Sequence, residues 1–124
     1  MMPNSIFSNH QDMVRALIKP AEHIVAEIDA DKANLIHMVL GISGESGELL
    51  DAIKKHAIYN KTLDINNVIE ELGDLEFYLE GLRQALNISR EDTISANIKK
   101  LAVRYSEATY SDKAAQERRD KAYE

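Results

Sequence analysis

Apolar side chains recur along this chain at steps of three and four, the spacing that lines one face of an α-helix. Met13, Leu17, Ala21, Ile24 and Ile28 form the first stripe, and Ser8-Asn9-His10-Gln11 precedes it with the spacing of a capping box. Pro20 falls inside the stripe. It removes a backbone hydrogen bond and crowds the turn before it, so a kink or two short helices are expected there. Asp29-Ala30-Asp31 is the next start signal. It predicts a second helix over residues 33–58, with Leu35, Val39, Ile42, Leu49, Ile53 and Ala57 on its buried face. A polar connection follows, with Asp64 or Asn67 as the cap of a third helix that ends near Asn87 and buries Val68, Leu72, Leu75, Leu79, Leu82 and Leu86. Ser89-Arg90-Glu91-Asp92 opens a fourth helix carrying Ile94, Ile98, Leu101 and Tyr105. Ser111 caps a last short helix over residues 112–123 whose faces are nearly all polar. Alone such a segment is marginal, so it is expected either to fray or to dock on a partner chain.

These elements predict an all-α fold: a four-helix bundle-like core with a kinked first helix and a short C-terminal helix or tail. One domain over residues 1–124 is expected, with residues 1–8 as lead-in and 111–124 as the polar tail. Two prolines, five glycines and no tryptophan in 124 residues suit helices better than a turn-rich sheet protein. The net charge of -6 argues against nonspecific binding to nucleic acid or membrane surfaces. With no cysteine, disulfides, thiolate metal sites and cysteine nucleophiles are excluded, and a reducing cytoplasmic setting is expected. The longest nearly apolar run, residues 35–42, is too short to span a bilayer and contains His37.

Charge changes the picture most in two places. Glu45 and Glu48 stand at i and i+3 on the second helix, and Glu71 and Asp74 do so on the third. Measured from the middle of each apolar stripe at 100° per residue, Glu45 and Glu48 fall near about -80° and -140°, and Glu71 and Asp74 near about -60° and -120°. Both pairs lie on flanks of the same sign. The connection between the two helices is short, so they are antiparallel neighbours, and flanks of like sign then share one side. One such acidic step is ordinarily a solvated face; two on matching flanks predict one groove holding four carboxylates. These would repel unless a cation neutralised them, and hard oxygen ligands select Mg²⁺, with Mn²⁺ as a substitute. Gly41, Gly44 and Gly47 interrupt the same helix at about 1 kcal/mol each, which calls for a close neighbour as the offset.

The fourth helix carries a complementary set. Asn97, Lys100 and Arg104 share one flank at spacings of three and four. An amide, a point charge and a guanidinium fork along one edge suit a polyphosphate. Tyr78 lies on the same flank as Asp74, in a position to stack on a base.

At these residues the chain resembles the MazG-like all-α nucleoside triphosphate pyrophosphohydrolases, most strongly the short forms of phages and bacteria. Glu45-x-x-Glu48-Leu-Leu-Asp-Ala-Ile is similar to the family's first metal motif, and Glu70-Glu71-x-x-Asp74-Leu to its second. Asn97-Ile98-Lys99-Lys100-Leu101 through Arg104-Tyr105 resembles its later Asn, Lys-Leu, Arg-Tyr segment. The likeness covers roughly residues 10 to 110. One departure is Gly44, where many members have Glu. The resemblance implies Mg²⁺-dependent hydrolysis of a (d)NTP to the monophosphate and pyrophosphate by a homodimer or homotetramer with sites near subunit interfaces. Glu45, Glu48, Glu71 and Asp74 would hold the metal, with Glu45 or Glu48 as proton acceptor. Lys100 and Arg104 would hold the departing pyrophosphate, and Asn97 would contact phosphate or sugar.

Two other readings compete. A carboxylate-bridged di-iron bundle needs Glu-x-x-His steps, and none of His10, His23, His37 or His56 has Glu three residues before it. A non-catalytic helical interaction or regulatory module would leave function intact in Glu71→Gln and Asp74→Asn, with no stabilisation by Mg²⁺.

Overall fold

All but one of the α-helices begin where a side chain takes up backbone N–H groups that the first turn leaves without partners, the exception being the one that starts after Pro20. In the computed structural model, which describes residues 6–121, Asn9 accepts from the Asp12 amide at 2.8 Å to start α1, His10–Leu17. The cap is thus Asn9 and not the neighbouring Ser8. The chain then runs extended through Ile18 to Pro20, and α2 spans Ala21–Glu27. Pro20 therefore yields two short helices, one of the two outcomes expected. Asp29 accepts from Lys32 at 2.9 Å and starts α3, Ala30–Ala57. Asp64, the first of the two candidate caps, accepts from Asn67 at 3.0 Å and starts α4, Ile65–Leu86. Ser89 accepts from Asp92 at 2.9 Å and starts α5, Arg90–Arg104. Ser111 accepts from Ala114 at 3.0 Å and starts α6, Asp112–Glu117.

Among the described residues there is no strand, and the fold is all-α. No helix of those residues is long and apolar enough to cross a membrane. Part of the expected lead-in, residues 1–5, and the end of the expected final helix, residues 122–123, with residue 124 after it, lie outside the described residues. That final helix ends early. Arg118 adopts a left-handed conformation at φ 48°, and a 3₁₀ turn follows over Arg119–Lys121.

The chain divides into two compact units, Met1–Ala33 and Asn34–Glu124. In the first, α1 and α2 carry exposed ion pairs, Arg15–Asp12 at 3.2 Å and Lys19–Glu27 at 3.6 Å. In the second, α3 and α4 meet where glycines remove the Cβ barrier. The Tyr78 ring lies on Gly41, and the Met38 thioether lies on Gly81. Residue numbers climb along one helix as they fall along the other, so the pair is antiparallel. The connection is tied down by Lys61, whose carbonyl meets His56 Nδ1 at 2.8 Å and whose amide donates to the Lys55 carbonyl at 3.1 Å.

The inward line agrees in part with the one the apolar pattern picks out. On α3, Leu35, Ile42 and Leu49 of the expected stripe are half-buried while Val39 and Ile53 are exposed, and the two buried residues, Met38 and Ala52, lie beside the stripe. On α4, Val68, Glu71, Leu75, Tyr78, Leu79 and Leu82 are half-buried, while Leu72 and Leu86 face outward. The Tyr78 ring on Gly41 and the Met38 thioether on Gly81 mark the contact line between the two helices. The glutamates Glu45 and Glu71 lie half-buried along it.

Candidate functional site

The register that sets Gly41 against Tyr78 brings Glu45 opposite Asp74 one turn further along. Glu45, Glu71 and Asp74 each offer a carboxylate oxygen, and these oxygens lie within 4.8 Å of one another. Glu45 and Glu71 are half-buried, Asp74 and Glu48 exposed. Glu48 does not join the tight trio, but its charge reaches Glu71. Partial burial first, then the charges of Glu45, Glu48 and Asp74, push the Glu71 carboxyl above its ordinary range, with a hydrogen bond to Glu45 adding to the effect. Among the described residues no ion pair involves any of the four acids.

This arrangement passes the chemical test for a divalent cation. The donors are hard oxygens, their charge has no lysine or arginine partner among the described residues, and burial first, then the neighbouring acids, disfavours the charged form of Glu71. The wall beside them is aromatic. Tyr78 is half-buried on Gly41, with His37 edge-on at 6.0 Å between ring centroids and Phe77 perpendicular at 5.1 Å.

The cationic edge on α5 has a different surrounding. Asn97 and Lys100 are exposed. Arg104 is held by the tail, donating from Nε to Asp120 Oδ1 at 2.8 Å and from Nη2 to Oδ2 at 3.3 Å. The Asp120 side chain is only 5% exposed, that of Arg104 16%. The hydrogen bond from Arg104 holds the Asp120 carboxyl below its ordinary range against the opposing effect of burial, with the charges of Arg104 and Lys100 adding to it. Sequence reasoning missed Asp120. It lies in a polar tail expected to fray or to dock on a partner chain, whereas the tail docks on the chain's own α5, which nothing in the pattern indicates.

A hollow of about 510 Å³ lies beyond that pair, lined by Leu101, Tyr105, Ala108 and Tyr110 among others. It contains none of the four carboxylates, so size alone would point away from the acidic groove. The groove has the denser chemistry, and a shallow site completed by a metal need not be a deep cavity.

No curated protein and no solved structure matches the chain. Residues 33–108, more than half of its length, match the MazG nucleotide pyrophosphohydrolase domain, and this match spans α3, α4 and α5 with both acidic steps and the cationic edge. The chain belongs to the MazG nucleotide pyrophosphohydrolase family.

Proposed function

We propose that this protein is a Mg²⁺-dependent nucleoside triphosphate pyrophosphohydrolase that converts a (d)NTP to the (d)NMP and pyrophosphate. The observation that carries the reading is the trio Glu45, Glu71 and Asp74, converged and without a cation partner, in a chain of this family. Glu45, Glu48, Glu71 and Asp74 would hold the metal, with Mn²⁺ as a substitute. A bound divalent ion there supplies charge neutralisation for the triphosphate and a water more acidic than bulk.

The chain's own residues do the rest. Glu45 or Glu48 accepts the proton of the attacking water. Of the two, Glu45 is the half-buried one and belongs to the tight trio with Glu71 and Asp74. The water's oxygen bonds to the α-phosphorus, the bridge to the β-phosphate breaks, and pyrophosphate leaves. Lys100 and Arg104 hold that leaving group, Asn97 contacts phosphate or sugar, and the Tyr78 ring offers its free side to the base.

The assembly is proposed to be a homodimer or homotetramer in a cytoplasmic setting, without nucleic-acid or membrane partners. Support comes from the apolar surface a single chain leaves open. Leu40, Leu50 and Phe77 are 65%, 67% and 68% exposed, and Met38 and Ala52 are the buried hydrophobic residues among those described. So small a core does not offset the conformational entropy of ordering a chain of this length.

Product identity tests the function. A panel of (d)NTPs with Mg²⁺ should give pyrophosphate and the monophosphate, and Glu71→Gln and Asp74→Asn should each abolish turnover. Orthophosphate as the sole phosphate product would sink the assignment. Sedimentation of the purified chain should give a dimer or tetramer, and a monomer at micromolar concentration would refute the assembly.

A further inference from the structure

The polar tail makes one contact that the reaction as described leaves unused. The left-handed Arg118 ends α6 and turns the chain so that the 3₁₀ turn lies on α5. Arg119 donates to Ser106 at 3.1 Å, and Asp120 meets both Nε and Nη2 of Arg104. An arginine at a helix end carries much rotamer freedom, and a two-point fork to a carboxylate removes most of it. Only two of the five guanidinium donors are spent on Asp120. Lys100 stands one turn earlier on the same edge. The three side chains together carry a net positive charge, so the edge still attracts an anion while its fork is held still.

We propose that Asp120 is the positioning residue for Arg104, fixing the guanidinium so that its remaining N–H groups, with Lys100, receive the pyrophosphate end of the substrate. The inference rests on the proposed pyrophosphohydrolase reading. It assigns the tail a role in the reaction beyond fastening α6, because a bare staple would need the pair but not its polarity.

A charge swap separates the two. Binding of Mg²⁺–pyrophosphate to the full chain is measured by titration calorimetry, together with the melting temperature, for wild type, Asp120→Asn, Arg104→Asp and the double variant Arg104→Asp/Asp120→Arg. Asp120→Asn is expected to lower the melting temperature and weaken pyrophosphate binding by about tenfold, the loss of a charge-assisted contact's worth of pre-orientation. The swap should restore the melting temperature while binding stays at least about tenfold weaker, because the cation has moved from α5 to the tail. Asp120→Glu keeps the charge one methylene further out, so it should fold normally and still bind less tightly. Restoration of both properties by the swap, or unchanged binding in Asp120→Asn or Asp120→Glu, overturns the inference. Wild-type protein that neither binds pyrophosphate nor releases it from a (d)NTP overturns the functional reading as well, whereas a wild type that does both isolates the failure to Asp120.

Discussion

A methyl group added at Gly41 tests the packing that sets the whole register. Its carbon would fall within the space of the Tyr78 ring, against Cδ1, Cε1 and Cγ, so the ring must swing out of the groove. In a helix interior Gly→Ala gains about 1 kcal/mol of propensity. Forcing an aromatic ring out of a packed site costs about 2–3 kcal/mol, the upper part of the range for overpacking, so the net expectation for Gly41→Ala is a loss of about 1–2 kcal/mol. At about 4 °C per kcal/mol for a chain of this size, the melting temperature should fall by about 4–8 °C. The sign should invert once the ring is gone. In a Tyr78→Ala background the same substitution meets no obstacle and should stabilise by about 1 kcal/mol. The double-mutant cycle then gives a coupling of about 2–3 kcal/mol. Urea melts in metal-free buffer at one fixed protein concentration measure it, since association shifts apparent stability. Gly41→Ala as stable as its parent, or an equal effect in both backgrounds, would refute the packing and with it the register that brings Glu45 to Asp74.

Gly44 has nothing within 4 Å of where a Cβ would stand, so Gly44→Ala should raise stability by about 1 kcal/mol in the same melts; a loss would mean that another surface approaches there. Glu71→Gln removes a carboxyl that burial and three neighbouring charges disfavour, so it should raise the metal-free melting temperature while removing any rise that Mg²⁺ gives the wild type; a fall in metal-free buffer would refute the electrostatic account. The Asp120 carboxyl is depressed by Arg104, so its contribution is present above the unfolded value of 3.8 and is lost as pH falls through the lower folded value. The melting-temperature gap between wild type and Asp120→Asn should therefore stay constant from about pH 7 to about pH 5 and close only in stronger acid, and a gap that closes near neutrality would contradict the pair. Ser89→Ala removes the acceptor for the Asp92 amide and should cost about 1 kcal/mol, read as a shift in urea midpoint without a change in slope.

Helix existence and helix starts were legible because they are local. Asp64 and Ser89 cap where a short polar side chain precedes an apolar stripe, Ser111 where one precedes a polar segment, and that information lies within four residues. The direction in which a helix turns its face is not local. Of the apolar stripe of α3, Leu35, Ile42 and Leu49 are half-buried while Val39 and Ile53 are exposed, and Met38 and Ala52 beside it are the buried residues. Glycine has no side chain to register in a hydrophobic pattern, and yet Gly41 and Gly81 are where the Tyr78 ring and the Met38 thioether seat. A reading weighted by apolar side chains leaves out the contacts that glycines carry.

The contact line bears on the site, because Glu45 and Glu71 lie half-buried along it. Fully solvated, their mutual repulsion would be screened by water. Half-buried, Glu71 is held above its ordinary range by burial first and by the neighbouring acids next. Glu48 and Asp74, each three residues further along its helix, stay exposed. The four acids thus divide into two that pack and two that face solvent, a division the sequence spacing alone does not contain. In the proposed metal site, the exposed pair would meet an incoming cation, and the half-buried pair would set where it stops. The exposed faces of α3 and α4, with Leu40, Leu50 and Phe77 uncovered, extend the same logic outward. Apolar periodicity marks which residues are to be buried, but whether their own chain or a second copy buries them depends on geometry that no single helix encodes.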